Sequence, residues 1–202
     1  MLNFIGTMGR AASVAASAVV VALVTGCAHP ISVAPDLNQV PQAASKINKT
    51  AAYYVSAEDM AKEVETPGGG GDKVKYAPYR DLDSGLYKAF SQVFDNVVKL
   101  KSPQDAAAIA AQGVSLVIKP TITTSSSSDS VLTWPPTQFS VDILCTVTDA
   151  SGKELVRTHS TGQGAATFSE FVGDYSLSAK RASQDALAKL VRDLAASDAL
   201  RR

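Results

Sequence analysis

Apolar side chains recur with two periods along this chain, every second residue in some stretches and every third or fourth in others. Phe139, Val141, Ile143, Cys145 and Val147 alternate with Ser140, Asp142, Thr146 and Thr148, the pattern of a half-buried strand. Asp149-Ala150-Ser151-Gly152 then reads as a hairpin turn, and Lys153 to Thr161 as the returning strand. Before them, Val114 to Thr124 places Val114, Leu116, Ile118 and Ile122 on one face. Pro120 lacks an N–H, so this strand is expected at an edge or bulged there. Leu82, Leu86, Phe90, Val93 and Val97 instead recur at three and four, which predicts an amphipathic helix with Asp81 or Asp83 as cap. The same spacing carries Ala179, Ala182, Ala186, Leu190 and Leu194 through a helix from about Ser176 to Ser197, after which Arg201 and Arg202 are expected to trail into solvent.

Shorter signals fill the intervals. Ala51 to Val55 is a β-prone run, and Ser56 can cap a helical start that reaches Val64. Gln104 to Gln112 reads as a brief helix closed by Gly113. Thr66 to Lys73 holds four successive glycines, whose backbone entropy predicts a mobile loop. Ser125 to Gln138 is a long polar loop bearing Trp134-Pro135-Pro136, and residues 28–48 combine three prolines with no period, as a spacer would. No internal repeat is present. The order is β-α-β-β-β-α. One antiparallel sheet of about four strands with two main helices on one face buries every apolar stripe, so the expected class is an α+β two-layer sandwich.

The first residues follow another logic. Ala11 to Val24 holds only small and apolar residues, with Arg10 the one charge before it. Fourteen residues at about 1.5 Å each cover roughly 21 Å, less than the ~30 Å hydrocarbon core, so the run fits a cleavable export signal better than a spanning helix. Met8-Gly9-Arg10 makes a more ordinary start for such a signal than Met1. Val24-Thr25-Gly26-Cys27 resembles the lipobox of bacterial lipoprotein precursors. That resemblance implies a diacylglyceryl group on Cys27, cleavage before it, and acylation of the new amine. Because Ala28 rather than aspartate follows, it also implies the outer membrane, with the domain facing the periplasm. The expected organisation is a signal at 1–26, the lipidated cysteine and flexible tether at 27–48, and one domain at 49–200.

A lipobox followed by this order of elements is similar to small periplasmic outer-membrane lipoproteins of the YajG and LptE type. Arg80-Asp81-Leu82, the Gly152-Lys153 turn and the helix from Ala182 to Leu194 are the counterparts of YajG-like features. The glycine run and the Trp-Pro-Pro loop depart from that pattern. LptE-like proteins plug an outer-membrane barrel and handle lipopolysaccharide, a role that fold analogy alone does not transfer.

Composition narrows the chemistry. Lys+Arg and Asp+Glu number 19 each, so no basic surface exists to neutralise phosphates, and nucleic acid is not expected as a partner. With Cys27 acylated, Cys145 is the one remaining thiol, and it falls on the apolar face of its strand. His159 and Ser160 are adjacent in a strand and point to opposite faces, so they cannot act as a nucleophile–base pair. No His, Cys or carboxylate spacing fits a metal site, and the glycine run lacks the G-x-x-x-x-G-K-[ST] order of a phosphate loop. Neither a cofactor nor an enzymatic activity is expected. Recognition is the remaining class. Its candidate contacts are Trp134, Pro135 and Pro136, a pre-ordered loop, and Tyr76, Tyr79 and Arg80, an amphipathic cluster with Tyr87 nearby. The expected partner is an envelope protein, or alternatively lipid, lipopolysaccharide or peptidoglycan.

Overall fold

A computed structural model describes residues 28–202; the expected export signal and Cys27 lie outside the described residues. In chain order the elements are β1 (Ala28–Pro30), a 3-10 turn (Leu37–Gln39), β2 (Ile47–Tyr53), α1 (Ala57–Ala61), β3 (Val64–Pro67), β4 (Lys73–Tyr76), α2 (Pro78–Val93) and β5 (Phe94–Lys99). They continue with α3 (Ala106–Ala111), β6 (Leu116–Ser127), β7 (Gln138–Asp149), β8 (Glu154–Ala165), α4 (Phe168–Phe171), α5 (Leu177–Ala195) and a final 3-10 turn (Asp198–Leu200). The class is α+β, as the periodicity implies, with two main helices.

The sheet differs from the expected four antiparallel strands. Five strands run in the order β5-β2-β6-β7-β8, and a second sheet holds β1-β4-β3. The meander β6-β7-β8 is antiparallel, but β2 lies parallel to both β5 and β6, with Ala51 opposite Val97 on one side and Leu116 on the other. Leu82, Leu86, Phe90 and Val93 line the buried face of α2, whereas Val97, the last position of that stripe, belongs to β5. Asp95 and Asn96 are weak helix formers and Val97-Val98 are β-branched, so the open edge of β2 captures the segment. Neither Asp81 nor Asp83 caps α2; Pro78 occupies its first turn after Ala77. Ser56 and Asp105 do cap α1 and α3, and Gly113 stands at φ +60° beyond α3.

Both long helices share one buried cluster with Phe139, Val141, Ile143, Cys145 and Val147. On the reverse face Ala52, Leu100, Val114 and Val117 pack beneath Ala108 and Ile109 of α3. Strand β6 is interior at Leu116–Ile118, between β2 and β7. Pro120 sits just past the point where β2 stops pairing, so its missing N–H breaks no ladder, and the expected edge begins midway along the strand. Two residues on, the Ile122 N–H donates to the Tyr79 hydroxyl at 3.0 Å in place of a strand partner.

The expected spacer is laid along the domain. Strand β1 pairs parallel with β4. The Ser32 N–H donates to Ser176 Oγ at 3.0 Å and the Val33 N–H to the Asp81 carboxylate at 3.1 Å. Val33 and Val40 are buried, and Pro35 lies where a side chain on Gly85 would stand. A proline-rich stretch without period still follows the surface when its few apolar residues find a groove and its N–H groups find acceptors. The C-terminus is held as well: Leu200 is fully buried, and Arg201 donates to the Ala195 carbonyl at 2.8 Å.

Candidate functional site

The loop between β6 and β7 owes its position to the glycine run. Gly68 to Gly71 form the turn of a β3–β4 hairpin rather than a mobile loop, with Gly70 and Gly71 at φ +67° and +88°. Gly69 donates its N–H to the Trp134 carbonyl at 2.9 Å. A Cβ on Gly68 would stand 2.3 Å from that carbonyl oxygen, and one on Gly69 would stand 1.7 Å from the oxygen of Thr133. Only a residue without a side chain permits the two backbones to approach so closely.

Trp134 is clamped in this seat. Its ring stacks on His29 with centroids 4.3 Å apart and planes 18° from parallel, and it meets Tyr175 at 5.0 Å. His29 Nε2 lies 3.3 Å from the Asp72 carboxylate, which ties β1 to the glycine turn. Pro135 and Pro136 are buried, and the Pro136 carbonyl accepts from Ser178 Oγ at 2.7 Å. Of Trp134, Pro135 and Pro136, Trp134 alone stays partly open to solvent.

What surrounds it escaped the sequence reading. Leu132, Trp134 and Pro135 face Phe168, Phe171, Val172 and Tyr175 across a cleft of about 290 Å³. Leu132 is 91% exposed, Val172 81%, Phe168 69% and Tyr175 54%, and Val131 beside Leu132 is 81% exposed. Among the described residues, five of the seven exposed large hydrophobic side chains gather here. The signal was present as Phe168, Phe171, Val172 and Tyr175, at the 0, 3, 4, 7 spacing of a helix face. Helix α4 begins with a capping box between Thr167 and Glu170. The Arg181 guanidinium, 2.7 Å from Glu170, and the Thr167 N–H hold that carboxyl down at about 2. Asp174 is likewise paired, with Lys180 at 2.8 Å.

The tyrosine cluster does not form a surface. Tyr76 and Tyr79 are buried, the first bonded to Thr124 at 2.7 Å through its hydroxyl, the second to the Ile122 N–H. A phenol that can reach a partner with its hydroxyl is a good core residue, and both do so. Arg80 is exposed, with only Asp81 at 3.9 Å, and Tyr87 leans on Tyr53. His159 and Ser160 diverge: His159 Nε2 lies 3.2 Å from Asp142, while Ser160 Oγ donates inward to Asp193 at 2.9 Å. Burial pushes the Cys145 thiol up to about 12, where it is not a nucleophile at neutral pH. Among the described residues no three His, Cys, Asp or Glu side chains converge, and no helix is long and apolar enough to cross a membrane.

No protein-family model matches the chain, and no curated protein matches it. Among solved structures, protein XCC0632 of Xanthomonas campestris, described as family model DUF330, is similar over 85% of this chain and 92% of its own. The identity is 13% and the TM-score 0.46, which assigns no activity.

Proposed function

We propose that this chain is a lipoprotein anchored to the outer membrane through Cys27, facing the periplasm, and that its domain acts by binding rather than by catalysis. The supporting observation is the apolar, aromatic cleft around Trp134, which adjoins the residues that follow Cys27. A cluster of exposed hydrophobic side chains on a small domain is characteristic of a contact surface. Its partner in this reading is another component of the envelope. The similarity to YajG- and LptE-type lipoproteins agrees with that placement. The second reading, a module that binds lipid, lipopolysaccharide or peptidoglycan directly, is favoured by the same cleft, whose lining is apolar.

Metabolic labelling with palmitate tests the anchor. Label is expected on the wild-type chain and absent from Cys27→Ser, with the unlabelled variant released from membranes. An unlabelled wild-type chain, or equal label on both, defeats the proposal. Affinity capture from solubilised membranes then tests binding: a Leu132→Asp variant is expected to lose what the wild type retains. Equal retention would remove the cleft from the contact.

A further inference from the structure

We infer that the cleft around Trp134 rests on the bilayer surface itself, so that Leu132, Phe168, Val172 and Tyr175 enter the headgroup–acyl boundary beside the anchor. The inference rests on the lipoprotein reading and specifies what its exposed apolar face touches. Geometry carries it. The described chain starts with β1 at Ala28, and the ring of His29, one residue further, stacks on Trp134 at 4.3 Å. Two Cα–Cα steps of about 3.8 Å separate residue 29 from Cys27, so acyl chains on that cysteine enter the membrane within roughly 8 Å of the His29 backbone. Because residues 28–35 are bonded to β4, Asp81 and Ser176, no slack remains to lift the domain away.

The composition of the face matches that location. Tryptophan and tyrosine are favoured at the membrane–water boundary, where an apolar ring and a polar tip are both satisfied. Leucine, valine and phenylalanine beside them supply area that gains by leaving water. Two carboxylates beside the cleft, Glu170 and Asp174, are each paired with a cation, Arg181 and Lys180, which reduces repulsion from anionic headgroups, and a third, Asp72, faces His29 at 3.3 Å. A single anchored cysteine leaves a domain free to rotate about its tether; a second, side-chain contact fixes which way the domain faces.

The chain holds one tryptophan, so its emission reports on this face alone. The mature lipidated protein is reconstituted into vesicles of phosphatidylethanolamine and phosphatidylglycerol, with and without bromine on the phospholipid acyl chains. Bromine is expected to quench Trp134 in the wild type. In Leu132→Asp/Val172→Asp the quenching is expected to be lost, while the variant still floats with the vesicles and keeps its circular dichroism spectrum. Both positions are solvent-exposed, so neither change disturbs the core. Floating wild-type protein whose emission is indifferent to bromine overturns the inference and leaves the anchor standing; an occupant such as a protein or the protein's own acyl chain would give that result. Wild-type protein that does not float removes the anchor reading, and this inference with it.

Discussion

Gly162→Ala is expected to cost far more than one methyl group would suggest. Gly162 lies in β8 directly under α5, and a Cβ there would stand 2.0 Å from the Ala182 carbonyl oxygen, 2.3 Å from the Ala186 nitrogen and 2.7 Å from the Ala186 Cβ. Two of the three obstacles are helix backbone, which cannot swing aside. Carbon–oxygen contacts between packed elements settle near 3.3 Å or more, so the helix has to retreat by about 1 Å. Such a gap forfeits roughly a quarter to a half of the dispersion contact for every side chain that faces the sheet. Leu190 and Leu194 share the buried side of α5 with Ala182 and Ala186 and are fully buried. Overpacking alone costs about 1–3 kcal/mol, and with the loosened leucines a loss of about 3 kcal/mol is expected. With a urea dependence of about 2 kcal/mol per molar, the unfolding midpoint falls by roughly 1.5 M at unchanged slope. Gly152→Ala is the control. It too sits at a glycine, φ +90°, but no atom lies within 4 Å of its Cβ, so only the left-handed backbone penalises it. That penalty is about 1–2 kcal/mol. If Gly162→Ala unfolds at or above the midpoint of Gly152→Ala, the close approach of helix and strand described above is wrong.

Two further outcomes follow from single groups. Tyr79→Phe keeps the ring and removes the acceptor of the Ile122 N–H, leaving a buried donor unpaired; a loss of about 1–3 kcal/mol is expected, with hydrogen exchange at Ile122 accelerated, and an unchanged exchange rate would refute the role given to the hydroxyl. Glu170 has a folded-state pKa below its ordinary value of 4.5, at about 2, so its contribution is present above pH 4.5 and is lost as pH falls towards 2. The α4 cap should therefore hold at pH 4, and a carboxyl titration followed by NMR with a midpoint above 4 would show that the Arg181 contact does not persist in solution.

The elements with unbroken period were legible. Alternation from Phe139 to Val147 found the core strand β7, and Ala179 to Leu194 found the buried face of α5, because the side chains that define each period all meet the same neighbour. Where a period is shared between two kinds of neighbour, it misleads. Val97 continues the spacing of α2 yet pairs with Ala51, and nothing within its own window announces a parallel strand 46 residues upstream. Short polar strands carry a weak signal: Lys73–Tyr76 alternates, but the four glycines beside it read as a mobile loop, and their seat for the Thr133–Trp134 backbone exists only in three dimensions. The candidate site divides in the same way. Trp134 was legible as a candidate contact because tryptophan beside two prolines is unusual, whereas its companions Phe168, Val172 and Tyr175 lie more than thirty residues away. Tyr76 and Tyr79 looked available to a partner since their own segment offers no bonding partner; Thr124 and Ile122, on β6, supply it.

The parallel placement of β2 has a consequence for the order in which the molecule is assembled. Its partners are Phe94–Lys99 and Leu116–Ile118, so the second strand to leave the ribosome finds no ladder until Phe94–Lys99 has emerged, and gains its second partner only with the meander. The β7–β8 hairpin closes across a four-residue turn and is the natural nucleus, as local pairs form before distant ones. Until β2 slots between its neighbours, one side of β6 stays bare. Lys119, exposed beside Pro120, stands where a charge and a missing donor discourage pairing with a stranger.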